Sequence, residues 1–285
     1  MRKTTENPAS TARPLLVAST LAIAGLMAQG AAADTLKYGG AAFPNYDGSY
    51  TLRDSNPTSF SVTGNAGGFK ITDVSGPTLP AGKTFVGWCI DIYDTMYTGS
   101  SGKSYREVNG ANFFGSAYTN GPTTYSSSTS YINKDLERLA SYVFDKTTSS
   151  FAAGTVWSNG HTYASNVQSA AFQLAIWEIV DEKSGGVRTN GAANYNVNSG
   201  DFYVTGGDSN ARTLANLWLN WLDGSTALNY AIDQDLQVWQ QTTPHTTQNL
   251  AMFVPTVPEP ETYAMLMAGL GLMGFVARRR KQSAG

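Results

Sequence analysis

Between residues 36 and 94 the chain sets short β-branched and aromatic runs between turn residues, with a break about every ten positions. Tyr50-Thr51-Leu52, Phe60-Ser61-Val62-Thr63, Phe69-Lys70-Ile71-Thr72 and Thr84-Phe85-Val86-Gly87-Trp88 each read as a strand. The period then changes. Ile132, Leu136, Leu139, Tyr142 and Val143 recur at helical spacing, as do Val167, Ala170, Ala171, Leu174, Ala175 and the run Trp177–Val180. Leu214, Leu217, Trp218, Trp221 and Leu222 form a further helical stripe, stopped by Gly224. Ala227–Ile232, Leu236–Gln240 and Asn249–Val254 return to strand character, while Asn120–Ser130 and Ser184–Gly200 read as loops. The pattern predicts an α+β fold, an antiparallel β-sandwich or barrel with a helical subdomain (about residues 131–223) inserted before its last strands. No internal repeat divides it, so residues 34–256 are expected to form one domain.

The two ends have a different character. Arg2, Lys3 and Arg13 precede an apolar run, Leu15 to Met27, and Ala31-Ala32-Ala33 follows it. A basic front, a short apolar centre and a small-residue exit predict a signal peptide over residues 1–33. At the other end Pro258-Glu259-Pro260 leads into apolar and small residues from Tyr263 to Ala277, followed by Arg278-Arg279-Arg280-Lys281. That stretch is short for a membrane span, but flanking cations can snorkel, so a single C-terminal span with its basic cluster on the cytoplasmic side is expected. The order of Pro-Glu-Pro, span and Arg cluster resembles the PEP-CTERM sorting tail of Gram-negative bacteria. The resemblance implies that residues 257–285 are a sorting and anchor segment, processed by an exosortase-type enzyme during delivery to the cell envelope, outer surface or extracellular matrix.

Composition narrows the choice of partner. The whole chain carries a formal charge of −2, yet residues 34–256 hold 12 basic and 18 acidic side chains. A domain near −6 has no basic stripe to release counterions from phosphates, which argues against nucleic acid as a partner. With one cysteine in the chain, no intrachain disulfide can form. An exported thiol that cannot pair must be protected, buried or used.

That thiol is Cys89, in Gly87-Trp88-Cys89-Ile90-Asp91-Ile92. The structural alternative is a small buried hydrophobe between Trp88 and Ile90. Gln173 is the second conspicuous residue, an amide inside the apolar stretch Ala170-Ala171-Phe172-Gln173-Leu174-Ala175-Ile176-Trp177. Burying an amide is costly unless it is hydrogen-bonded or chemically used, and a bonded amide capping a strand edge is its structural alternative.

Aromatic-Cys-Ile-Asp followed by Gln-x-Ala-Ile-Trp resembles the thioester domains of bacterial surface proteins, best known in Gram-positive adhesins. The resemblance implies that Cys89 and Gln173 condense, with loss of ammonia, into an internal thioester. Trp88, Ile90, Phe172, Ile176 and Trp177 would then wall the bond from water, and Asp91 would orient a donor or act as a base beside it, a structural hydrogen bond at its strand end being the alternative. A nucleophile on a partner, an amine or a hydroxyl of a surface or matrix polymer or protein, would attack the Gln173 carbonyl and release Cys89. Such an act is single-use, so neither a turnover enzyme nor a cofactor is expected. Where that family commonly has Thr before the Gln, this chain has Phe172.

Rival readings have weaker support. A cysteine hydrolase would need an imidazole beside Cys89, and both His161 and His245 lie in polar stretches that read as surface loops. Asp91 and Asp94 lack the Gly and terminal Glu of a hard-cation loop, so no metal is expected. A non-covalent carbohydrate or matrix binder, with Cys89 a structural thiol, is the second hypothesis, with Tyr and Trp stacking on sugars.

Overall fold

The computed structural model describes residues 33–43, 47–55, 59–76, 78, 81–90, 92–116, 118–120, 123–125, 131–145, 151, 155–182, 194–242, 247–256 and 267–273. Residues 1–32 of the expected signal peptide, the residues Pro258, Glu259, Pro260, Arg278, Arg279 and Arg280 of the tail, Asp91 and His245 lie outside these. The expected span is described at 267–273, which is helical and exposes Met267, Leu270, Leu272 and Met273. Among the described residues no helix is long and apolar enough to cross a membrane.

Between sandwich and barrel the structure decides for a barrel. Six antiparallel strands close on themselves in the order β1 (Asp34–Ala41), β4 (Phe69–Asp73), β5 (Thr84–Cys89), β11 (Leu250–Pro255), β10 (Gln234–Gln241) and β6 (Lys103–Asn109), which returns to β1. A separate antiparallel sheet has the order β3 (Phe60–Ala66), β2 (Asp47–Asp54) and β9 (Phe202–Gly206). The helices are α1 (Gly110–Gly115), α2 (Tyr131–Val143), α3 (Ser165–Asp181), α4 (Ser209–Asp223) and α5 (Ser225–Leu228). A small hairpin pairs β7 (Tyr118–Asn120) with β8 (Thr123–Tyr125) and overlaps the first part of the stretch read as a loop, Asn120–Ser130.

The helical block is therefore not purely helical. β9 interrupts it, because Phe202-Tyr203-Val204-Thr205 pairs with the edge of β2, Leu52 opposite Val204. Ala227–Ile232, expected as a strand, forms α5 and a turn instead. Gly224 ends α4, and the amides of Ala227, Asn229 and Tyr230 bond back to carbonyls three residues earlier, so the chain spends its hydrogen bonds locally. β6 and α1 were not anticipated from the sequence.

α3 is the spine of the molecule. Every residue from Gln168 to Asp181 is buried, as expected of a helix that is apolar on all sides. It packs on α4 and touches β2, β3, β5 and β9, so it connects the barrel to the separate sheet. Two of its polar side chains, one turn apart, face the barrel. Ser169 Oγ accepts the N–H of Gly68 at 2.9 Å, where β4 begins, and Gln173 reaches the end of β5. Gly68 has no room for a side chain: an added Cβ would lie 2.8 Å from Val86 Cγ1 and 3.0 Å from the Trp88 ring. Ser169→Ala leaves the buried Gly68 amide without this acceptor and is expected to cost about 1–3 kcal/mol, measured as a lower urea midpoint with unchanged m.

Candidate functional site

Cys89 ends β5, where the ladder runs out on one side. On the β11 side Cys89 is opposite Leu250, and the N–H of Ile90 donates to Asn249 O at 3.2 Å. On the other side β4 pairs with β5 only from Thr84 to Gly87. The carboxamide of Gln173 takes the place that a further β4 residue would occupy. Its Oε1 accepts the N–H of Cys89 at 2.9 Å, and its Nε2 donates to Cys89 O at 2.8 Å. A side-chain amide thus mimics a peptide unit and extends the sheet. This geometry explains how Gln173 sits in a helix at 0% exposure.

The arrangement brings together residues that are 84 positions apart in the chain. It also defines which side of the amide faces what. The carbonyl oxygen is polarised by a main-chain amide, the kind of donor that stabilises charge developing on a carbonyl under attack. Cys89 is 2% exposed and in no disulfide.

Trp88 and Phe172 form the wall on one flank. Their rings meet edge to face with centroids 4.8 Å apart, and Phe172 also packs on Phe144 at 4.6 Å and Phe253 at 5.4 Å. Ile90 and Ile176 are fully buried. Phe172 is therefore a core aromatic with no polar atom to offer the amide beside it.

The other flank is open. A cavity of about 260 Å³ is lined by Cys89, Trp177, Tyr93, Asp94, Met96 and Gln248, together with apolar and polar residues of β1 to β4 and of the loop after Cys89. Trp177 is one helical turn beyond Gln173, and its buried indole N–H has no hydrogen-bond partner among the described residues. Gln248 Nε2 donates to Asp94 O and ties the loop after Cys89 to the start of β11. A larger cavity of about 410 Å³ lies elsewhere, beside Arg106, Phe113 and Gln240, and contains neither Cys89 nor Gln173.

Of the residues predicted for the site, Cys89, Gln173, Trp88 and Trp177 meet at one place, while Asp91 is outside the described residues. His161 is in an exposed turn, where its N–H bonds Asn159 Oδ1 and its ring lies near Tyr163, and it does not line the Cys89 cavity. Tyr93 and its partner Asp54 were not anticipated. Of this stretch the sequence singles out Asp91 and Asp94, whereas Asp54 reaches the area from a strand distant in sequence.

The C-terminal half of α3 carries a second polar cluster. Glu178 Oε1 accepts the N–H of Asn196 at 2.7 Å, Glu182 Oε2 accepts the N–H of Asp201 at 2.8 Å, and Asp223 Oδ2 accepts the N–H of Tyr195 at 3.0 Å. These acids hold the segment leading into β9. Burial pushes the Glu178 carboxyl up to about 9, opposed by the Asn196 N–H and reinforced by Glu182, Asp223 and Asp181.

The chain carries a PEP-CTERM protein-sorting motif at residues 256–281. A motif of this kind implies exosortase processing and points to a cell-surface protein. No curated protein matches the chain. Among solved structures, the fold is similar to the N-terminal thioester domain of the fibronectin-binding protein SfbI from Streptococcus pyogenes. That pair shares 14% identity over 78% of this chain and 98% of the other, with a TM-score of 0.38. The N-terminal domain of the Streptococcus pyogenes pilus tip adhesin Cpa gives 11% identity, 77% and 98% coverage and a TM-score of 0.39. A cysteine-to-alanine form of the N-terminal thioester domain of a surface protein from Clostridium perfringens gives 10% identity, 73% and 99% coverage and a TM-score of 0.41.

Proposed function

We propose that this is an exported surface or matrix protein that forms an internal thioester between Cys89 and Gln173 and uses it to attach covalently to a nucleophile on a partner. The observation that carries the reading is the pair of hydrogen bonds between the Gln173 carboxamide and the Cys89 main chain. It holds the acyl carbon beside the residue whose sulfur must attack it, in a wall of Trp88 and Phe172 that keeps out water. Sulfur attack on that carbon expels ammonia. The Nε2 bond to Cys89 O is then replaced by the C–S bond, while the Cys89 N–H remains aimed at the carbonyl oxygen. The cavity on the Trp177 side gives a partner's amine or hydroxyl its approach. One act consumes the bond, so the protein is a single-use cross-linker and not a turnover enzyme. The signal peptide and the sorting tail deliver it to the outer surface or extracellular matrix of a Gram-negative bacterium.

The same two hydrogen bonds favour a second reading, since they give both polar atoms of the amide a partner without any chemistry. In that case Cys89 is a structural thiol and the protein binds carbohydrate or matrix non-covalently. Intact mass separates the two. The thioester makes the purified domain about 17 Da lighter than its sequence through loss of ammonia, and methylamine restores mass as an adduct. Cys89→Ala and Gln173→Ala should each abolish the deficit. Full mass in the wild type, with a thiol that alkylates once unfolded, overturns the covalent reading.

A further inference from the structure

The cavity beside Cys89 has a pair of groups that formation of the cross-link does not use. Tyr93 follows Cys89 by four residues and lines the same cavity. Its hydroxyl donates to Oδ2 of Asp54. Asp54 ends β2 at 1% exposure, where its main chain is opposite Phe60 on one side and Phe202 on the other. Phe60 also packs on the Tyr93 ring, with centroids 4.9 Å apart. The phenol is thus held at its oxygen by a buried carboxylate and at its ring by the strand next to that carboxylate.

The attack on a thioester creates a proton problem at this place. As an amine or hydroxyl bonds to the acyl carbon, it becomes acidic and must lose a proton. No Lys, Arg or His is among the described residues lining the cavity, whose polar side chains besides Tyr93 include Thr63, Asn65, Asp94, Thr95, Thr98 and Gln248, and a charge left on the adduct in this mainly apolar space would be costly. A phenol bonded to a carboxylate accepts a proton more readily than a free phenol, because the proton it already holds can move on to the carboxylate.

Resting on the thioester reading, we propose that Tyr93, oriented by Asp54, is the proton acceptor for the nucleophile that opens the Cys89–Gln173 bond. The nucleophile's nitrogen or oxygen bonds to Gln173 Cδ, its proton passes to Tyr93 Oη, and the Tyr93 proton passes to Asp54 Oδ2. The Cδ–Sγ bond breaks with its electron pair going to Cys89 sulfur. The proton on Asp54 returns through Tyr93 to that sulfur. The products are an amide or ester on Gln173 and a Cys89 thiol, with Tyr93 and Asp54 as they began. Asp54 touches none of the reacting atoms, so it is a positioning residue.

The test uses the purified full chain, methylamine as nucleophile and intact mass as readout. Tyr93→Phe and Asp54→Asn should both retain the mass deficit of about 17 Da, since neither acts in the resting bond. Their limiting rate of methylamine addition should fall by about 10²-fold or more, with the half-saturating methylamine concentration little changed. A solvent deuterium isotope effect on the wild-type reaction should disappear in Tyr93→Phe, a change that altered packing alone does not produce. Wild-type rates in both variants would overturn the relay, and so would loss of the deficit in both. A wild type of full mass removes the thioester reading beneath it and is recognised before any rate is measured.

Discussion

In a Cys89→Ala background, where no thioester can form, Gln173→Leu is expected to lower the free energy of unfolding by about 2–6 kcal/mol. Leucine fills nearly the same space, so the loss is not a cavity effect. What is lost is the acceptor for the Cys89 N–H and a donor to the Cys89 carbonyl, both at the dry end of β5. Two buried main-chain groups deprived of these bonds cost about 1–3 kcal/mol each. Gln173→Glu distinguishes the two bonds. The ionised acid still accepts from the N–H but presents a negative oxygen to the carbonyl, whereas the protonated acid can donate to it. Stability of that variant should therefore rise as pH falls.

The same background isolates the covalent bond. A cross-link between residues 84 apart removes unfolded-state entropy, and by the chain-entropy relation for disulfides a loop of that length contributes roughly 4–5 kcal/mol. Cys89→Ala alone should lower stability by about that amount if wild type holds a thioester. It should cost only about 1 kcal/mol if Cys89 is merely a small buried hydrophobe. Denaturant unfolding of the three proteins thus yields the worth of the amide as a sheet extender and the worth of the cross-link as separate numbers.

Much of this site was legible because its two principal residues violate their surroundings. A lone cysteine that cannot pair within its chain and an amide in an otherwise apolar helix are each conspicuous, and the resemblance of their flanking motifs joins them. What could not be read was the means of joining. That Gln173 substitutes for a strand residue depends on β4 stopping at Phe69 while β5 continues to Cys89, a register fact with no local signal. Tyr93 and Asp54 were hidden for a like reason, since one follows the cysteine and the other ends a strand of a different sheet. Helices with a full stripe were read correctly, as at Ile132 and Leu136. β9 gives four strand-forming residues between glycines, too short a run to stand out, and the six mostly apolar residues Ala227–Ile232 do not reveal a turn closed by local carbonyls.

Glu178→Gln is expected to stabilise the protein at alkaline pH and to do little at acid pH. The Glu178 carboxyl is raised from 4.5 to about 9, chiefly by burial, so in the folded protein it remains protonated at neutral pH. In the unfolded chain it ionises near its ordinary value. A group raised on folding favours the folded state fully only below the unfolded value, and that contribution is lost as pH rises from about 4.5 towards 9. Wild type should therefore lose stability on this account across that window. Glutamine keeps the oxygen that accepts the Asn196 N–H at 2.7 Å and carries no charge at any pH. The difference between variant and wild type should grow from near zero at pH 4 to on the order of 5 kcal/mol at pH 8. Paired unfolding curves at the two pH values cancel the contributions of Glu182, Asp181 and Asp223, whose surroundings the substitution leaves in place. A flat difference between pH 4 and pH 8 would mean that Glu178 ionises within the folded core. The segment from Tyr195 to Phe202 would then be held by a charged clasp instead of a neutral one.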